Sequence, residues 1–133
     1  GKARIVKEGT DVTVVSWGVS LWDSMLAAKK LEDENYSVEV IDLRTIVPLD
    51  EETIYNSVKK TNKVIIIHED TLFAGFGAEI AAKIADNCFQ FLDAPVKRIG
   101  AKDSHIPYSP VLENEVLPNR EEIFNGIKSL LKY

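Results

Sequence analysis

Four apolar residues in a row, Val64-Ile65-Ile66-Ile67, stand between Lys63 and the polar triplet His68-Glu69-Asp70. An unbroken β-branched run of this kind predicts a strand covered on both faces, as in a parallel sheet flanked by helices. Val12-Thr13-Val14-Val15-Ser16 and Val38-Glu39-Val40-Ile41-Asp42 predict two more strands, and Val96 to Gly100 a last short one. Residues Ala3 to Lys7 alternate apolar and polar positions before the turn Glu8-Gly9-Thr10-Asp11, so they predict an edge strand folding back on a central one. Between the strands the period changes from two to about four. Ser20 with Asp23 three residues on resembles a capping box, opening a helix that places Leu21, Met25, Ala28 and Leu31 on one face and ends near Asn35. Asp50 predicts an N-cap, with Glu51 and Glu52 in the first turn and Ile54 and Val58 facing inward. Ile80, Ala81, Ile84, Ala85 and Cys88 mark a third helix. Asn119 with Glu122 caps a last one, whose stripe is Ile123, Phe124, Ile127, Leu130 and Leu131. Leu43 to Leu49, Thr71 to Gly75, Phe89 to Pro95 and Asp103 to Pro110 are expected to be connections, with Pro48 keeping the first of them from becoming helical. Strands alternating with helices indicate βαβ units, a mostly parallel sheet and a three-layer α/β/α sandwich.

The 133 residues suffice for one domain, 45% hydrophobic and 28% charged. A net charge of −5 argues against nucleic acid or an anionic membrane as a partner, because both reward clustered Lys and Arg. The single cysteine, Cys88, cannot close an internal disulfide, and neither a signal peptide nor a long apolar span is visible. A reducing compartment is the expectation. Gly1-Lys2-Ala3 leads straight into a strand, as if the chain were part of something longer.

Polar residues at the carboxyl end of a central strand are where open α/β sheets place ligand or partner contacts, which directs attention to His68, Glu69 and the glycine-containing start of the next helix. His68, Glu69, Asp70, Asp103 and His105 are metal-ligating residue types, but neither histidine has a helical partner and 37 positions separate the two. Gly75-Phe76-Gly77 could offer backbone N–H groups to a phosphate. A dinucleotide fingerprint needs another glycine where Ile80 stands, and there is no P-loop lysine. Cys88 reads as an inert core thiol. Trp17 and Trp22 flank the first crossover turn and suit the core or a subunit interface. Glu113, Glu115, Glu121 and Glu122, with the terminal carboxylate, are either a solvated face or a surface for a basic partner. No catalytic set emerges.

The segments Asp11 to Gly18, Val40 to Asp50, His68-Glu69-Asp70, Gly75 to Ile80, Leu92 to Val96 and Ile106-Pro107-Tyr108 together resemble, over essentially the whole chain, the transketolase C-terminal-like domain of the beta subunit of thiamine-diphosphate-dependent 2-oxo acid dehydrogenases. The forms at His68-Glu69-Asp70 and Gly75-Phe76-Gly77 look most like the branched-chain 2-oxoisovalerate members, with pyruvate and acetoin dehydrogenases as alternatives. Transketolase and deoxyxylulose-phosphate synthase are less similar, and an independent α/β anion-binding module is the reading of another class. The resemblance implies one domain over 1–133, part of a beta subunit or an alpha–beta fusion. It implies a five-stranded mixed sheet of order 1-3-2-4-5 with the first strand antiparallel, so that Trp17-Gly18 and His68-Glu69 face one crevice at a switch point. It also implies an oxidoreductase whose thiamine diphosphate and magnesium are held by the alpha subunit and the preceding beta domain. This domain would then have no catalytic, cofactor or metal residues, and alone would neither bind the cofactor tightly nor turn over. Its partners would be the alpha subunit, a second beta subunit and the basic subunit-binding domain of the dihydrolipoyl acyltransferase. Candidate contact residues are Trp17, His68, Glu69, Gly75, Phe76, Gly77 and Tyr133. The parent is expected in the cytoplasm of a bacterium or the mitochondrial matrix of a eukaryote.

Overall fold

The computed structural model describes all 133 residues. Five strands, β1 (Arg4–Lys7), β2 (Val12–Ser16), β3 (Val38–Asp42), β4 (Val64–Thr71) and β5 (Lys97–Ala101), form one sheet in the order β1-β3-β2-β4-β5. β1 runs antiparallel to β3, and every other pairing is parallel. This is the sheet the resemblance implied. Five helices, α1 (Ser20–Asp33), α2 (Glu51–Thr61), α3 (Phe76–Cys88), α4 (Pro110–Val116) and α5 (Arg120–Leu131), and a 3₁₀ turn at Phe89–Phe91 complete it.

Alternation along β4 divides the core in two. Ile65 and Ile67 pack with Ala27, Ala28 and Leu31 of α1 and with Ile123, Ile127 and Leu130 of α5. Val64 and Ile66 pack on the other face with Ile54 and Val58 of α2 and Ile80 and Ile84 of α3. Burial on both faces is why the run carries no polar alternation.

Four expectations need correction. Ser20 is not an N-cap: it is buried as the first helical residue, Val19 holds the cap position and no side chain caps the helix. The buried face of α1 is Ser20, Ser24, Ala27, Ala28 and Leu31, while Leu21 and Met25 are only partly buried. Small residues let the helix lie close to the sheet and push the longer side chains to its flanks. α4 was not expected. Pro110, read as the end of a loop, is the first residue of that helix, where its missing N–H costs nothing. Finally, β4 continues through Asp70 to Thr71, and its register against β5 slips between Ile67 and Thr71.

A polar network lies beneath α2, near the amino ends of the strands. The side chain of Glu39 is fully buried and accepts from Ser57 Oγ at 2.6 Å, from the Gly9 N–H at 3.1 Å and from Lys60 Nζ. Thr13 Oγ1 lies 2.6 Å from Ser57 Oγ and 2.7 Å from Thr61 Oγ1. Burial pushes the Glu39 carboxyl up, but the Lys60, Ser57 and Gly9 bonds outweigh it and hold the group below its ordinary 4.5. The stability tied to a depressed carboxylate is present above that ordinary value and is lost as pH falls through the folded one. Lys60→Ala, which leaves a buried carboxylate short of its counter-charge, is expected to cost about 2 kcal/mol at neutral pH. In urea unfolding the difference should shrink below pH 4.5, where the carboxyl takes up a proton. A deficit constant across pH would contradict this role for Lys60.

Candidate functional site at the carboxyl end of the sheet

The carboxyl ends of the four parallel strands share one end of the sheet, and the connections after neighbouring β2 and β4 leave toward opposite faces, to α1 and α3. In such sheets a crevice opens at this point. Here aromatic rings fill it. The rings of Trp17 and His68 stack with centroids 5.1 Å apart and planes 17° from parallel, and Phe76 meets Trp17 edge-on at 6.1 Å. The register slip in β4 falls on His68, Glu69 and Asp70, a bulge of the kind that re-aims side chains near sites.

His68 is fully buried, and neither ring nitrogen reaches a hydrogen-bond partner. Two glycines make its slot: a methyl group at Gly77 would overlap Nε2, and one at Gly100 would come within 2.8 Å of Cε1. Burial pushes the imidazole below its ordinary 6.5, and the nearby Asp70 raises it only in part. His68 is therefore a neutral ring without polar partners, suited to packing against Trp17. Glu69 and Asp70 are exposed.

Asp70 has a role that the sequence reading missed. Its carboxylate accepts from the Phe76 N–H at 3.3 Å and from the Thr71 N–H at 2.8 Å. A carboxylate thus already stands at the positive end of the α3 dipole, where a phosphate would have to sit, and an incoming anion would be repelled. Gly75 is required for a different reason. Its backbone lies so close to the Thr71 carbonyl that no side chain fits. The crevice therefore has no seat for a diphosphate, and no three metal-ligating side chains converge anywhere in the chain. Cys88 is a buried free thiol whose pKa burial pushes up, as befits a core residue.

Trp17, His68, Phe76, Gly77 and Gly75 are thus brought together. Tyr133 is not. α5 returns antiparallel to the strands, so Tyr133 lies at their amino ends, beside a hollow of about 210 Å³ lined by Ile65, Lys97, Ile99, Gly126 and Ser129. Lys63 Nζ reaches the Leu131 carbonyl there at 3.0 Å. Glu121 and Glu122 open the same helix, about 18 Å away at 1.5 Å per residue, and Glu113 and Glu115 lie on α4. The acidic run and the chain end do not form one surface.

The fold and this ring-filled switch point define a three-layer α/β domain built to pack. The transketolase C-terminal domain family matches residues 1–123, and the chain belongs to that family. Among curated relatives, a pyruvate dehydrogenase E1 component subunit beta of Staphylococcus epidermidis is 41% identical over 133 residues. One of Rickettsia bellii is 44% identical over 130 residues. The chain spans 41% and 40% of the lengths of those two proteins. Among solved structures, a split-gene transketolase described as an inactive beta4 tetramer superposes with a TM-score of 0.83 at 24% identity, over 98% of this chain and 41% of that one. Transketolase of Campylobacter jejuni superposes at 0.58 with 18% identity, over 96% and 18% of the two chains. These two likenesses concern the fold.

Because the folded pKa of His68 is depressed, its neutral form stabilises the fold fully above 6.5, and that stability is lost as pH falls from there toward the folded value. Thermal melts should therefore show the wild type losing stability relative to His68→Phe as pH falls below 6.5. Parallel curves for the two proteins over that range would contradict a buried neutral imidazole.

Proposed function

We propose that this chain is the C-terminal assembly domain of the beta subunit of a thiamine-diphosphate-dependent 2-oxo acid dehydrogenase, where it builds subunit interface and docks the acyltransferase core. The observation that carries this reading is the distribution of uncovered apolar side chains. Fourteen large ones are exposed, and eight of them, including Val47, Phe73, Ile106 and Tyr108, lie on segments that follow β3, β4 and β5 at the carboxyl end. A patch so concentrated marks a protein-binding surface. Glu69 stands on the same rim, above the Trp17–His68–Phe76 packing that would keep it rigid.

In the parent enzyme the cofactor and magnesium belong to the alpha subunit and the preceding beta domain. The 133-residue chain alone is accordingly inactive and has no role in the chemistry beyond positioning its neighbours. Two readings of the substrate stand side by side. Relatives named as pyruvate dehydrogenase subunits at 41% and 44% identity favour pyruvate. The residues at His68-Glu69-Asp70 and Gly75-Phe76-Gly77 favour a branched-chain 2-oxo acid. We place the parent in the bacterial cytoplasm or the mitochondrial matrix, in keeping with a single cysteine that is buried and unpaired. Docking of the basic subunit-binding domain would use the Tyr133 carboxylate, with acidic side chains supplied from elsewhere in the assembly.

The test is reconstitution of the full beta subunit with its alpha partner. The wild type should form an α2β2 tetramer that decarboxylates pyruvate faster than 3-methyl-2-oxobutanoate and retains the subunit-binding domain in a salt-sensitive way. Phe73→Asp combined with Tyr108→Asp should leave the beta subunit folded and unassembled. Normal assembly of that variant would contradict the interface, and the reverse substrate order would select the branched-chain reading.

A further inference from the structure

The connection after β3 is strained, and the residue that carries the strain is an arginine. Four non-glycine residues have a left-handed backbone: Asn35, Arg44, Asn62 and Ala74. Asparagine tolerates that region and alanine brings only a methyl group to it, whereas nothing in an arginine side chain offsets the clash. Arg44 has a φ of +60°, and the Thr45 N–H donates to the Leu43 carbonyl at 2.6 Å. Arg44 is thus the middle residue of a three-residue turn of the rare, strained kind. The neighbouring connection after β2 reaches a similar φ, +65°, with Gly18. The turn at Arg44 is pinned on both sides. Before it, Leu43 is buried and its N–H donates to the Ser16 carbonyl at 3.0 Å. The Arg44 N–H donates to Asp42 Oδ1 at 3.1 Å, and Thr45 Oγ1 donates to the Pro48 carbonyl at 3.3 Å. Arg98 and Arg120 give their side chains to the Leu72 carbonyl and the Asp23 carboxylate, each at 2.7 Å. The Arg44 guanidinium has no such partner and stands exposed, on a loop that also exposes Ile46 and Val47.

Backbone strain of this kind is kept where the conformation serves a contact. We propose that Arg44 is an ion-pair anchor, its guanidinium presented by the strained turn to a carboxylate of the alpha subunit. The proposal rests on the reading of the rim as an assembly face and names one contact within it. One guanidinium suits one carboxylate, through two parallel N–H···O bonds. A phosphate carries nearly twice the charge and would approach Asp42, whose carboxylate already lies against the Arg44 N–H. Ile46 and Val47 on the same loop shield the pair from water once the neighbour is seated, and a shielded pair holds an interface far better than one left in solvent.

The full beta subunit and its alpha partner test this. In the isolated beta subunit, Arg44→Gly removes the strain and should melt no lower than the wild type. Mixed with the alpha subunit, the same variant should raise the dissociation constant of assembly at least about tenfold, and Arg44→Glu should raise it further, whereas Arg44→Lys should keep part of the affinity. Carbodiimide joins an amine to a carboxylate in contact with it. It should couple position 44 of the Arg44→Lys subunit to an aspartate or glutamate of the alpha subunit, and absence of that cross-link would overturn the anchor. Assembly of Arg44→Gly and Arg44→Glu at wild-type affinity, while Phe73→Asp combined with Tyr108→Asp stays unassembled, would overturn the anchor and leave the rim standing. Normal assembly of all three would overturn the rim as well. A clear fall in the melting temperature of isolated Arg44→Gly would make the residue a structural one, and inorganic phosphate stabilising the wild-type subunit but not Arg44→Gly would assign the guanidinium to phosphate. Either result overturns the proposal.

Discussion

The stacking of His68 on Trp17 governs the end of the sheet where an α/β protein would otherwise hold a ligand. A histidine with two unsatisfied nitrogens is costly to bury, about 1–3 kcal/mol for each polar group left without a partner. It persists here because Gly77 and Gly100 bring backbone into contact with the ring and Trp17 covers its face. Remove either glycine and the ring has nowhere to go. With the ring in place, the crevice between the β2 and β4 connections is solid, and Asp70 satisfies the start of α3 from within the chain. The usual binding position of the fold has been converted into packing.

That conversion explains why the surface matters more than the interior. The end of the sheet offers rigid support beneath a rim of exposed apolar residues, and the loops that carry Val47, Phe73 and Tyr108 present them outward instead of folding them back. At the other end of the strands, Glu39, Lys60, Ser57 and Thr13 anchor α2 through hydrogen bonds that burial makes expensive to break. One end is closed by apolar contact and the other by a polar network. The helices between them are held in place from both sides.

Most of the fold was legible in the sequence because β4 opens with a continuous apolar run, β2 and β3 are rich in valine and isoleucine, and α2, α3 and α5 carry unambiguous stripes or caps. Asp50 and Asn119 cap their helices as their positions suggested, accepting from Thr53 and Glu122. What escaped depends on contacts distant in the chain. Glu39 looks like an ordinary polar interruption of a strand until Lys60 and Gly9 are seen beside it, and a lone acid among Val38, Val40 and Ile41 was the available signal. The bulge at His68 exists only relative to β5, so no local pattern could report it. α4 is too short for a period, and Ser109-Pro110 was its single clue. The acidic residues and Tyr133 seemed a group because they crowd the end of the sequence, but α5 separates them by its own length.

In the proposed function, the carboxyl-end rim is the face on which this domain joins its assembly. Hydrogen–deuterium exchange on the full beta subunit, free and combined with its alpha subunit, tests it most directly. Residues 43–49, 71–75 and 102–112 are expected to become protected on assembly, while the outer face of α2 exchanges as before. Protection confined to α2 and α3, with those three segments unchanged, would contradict the account.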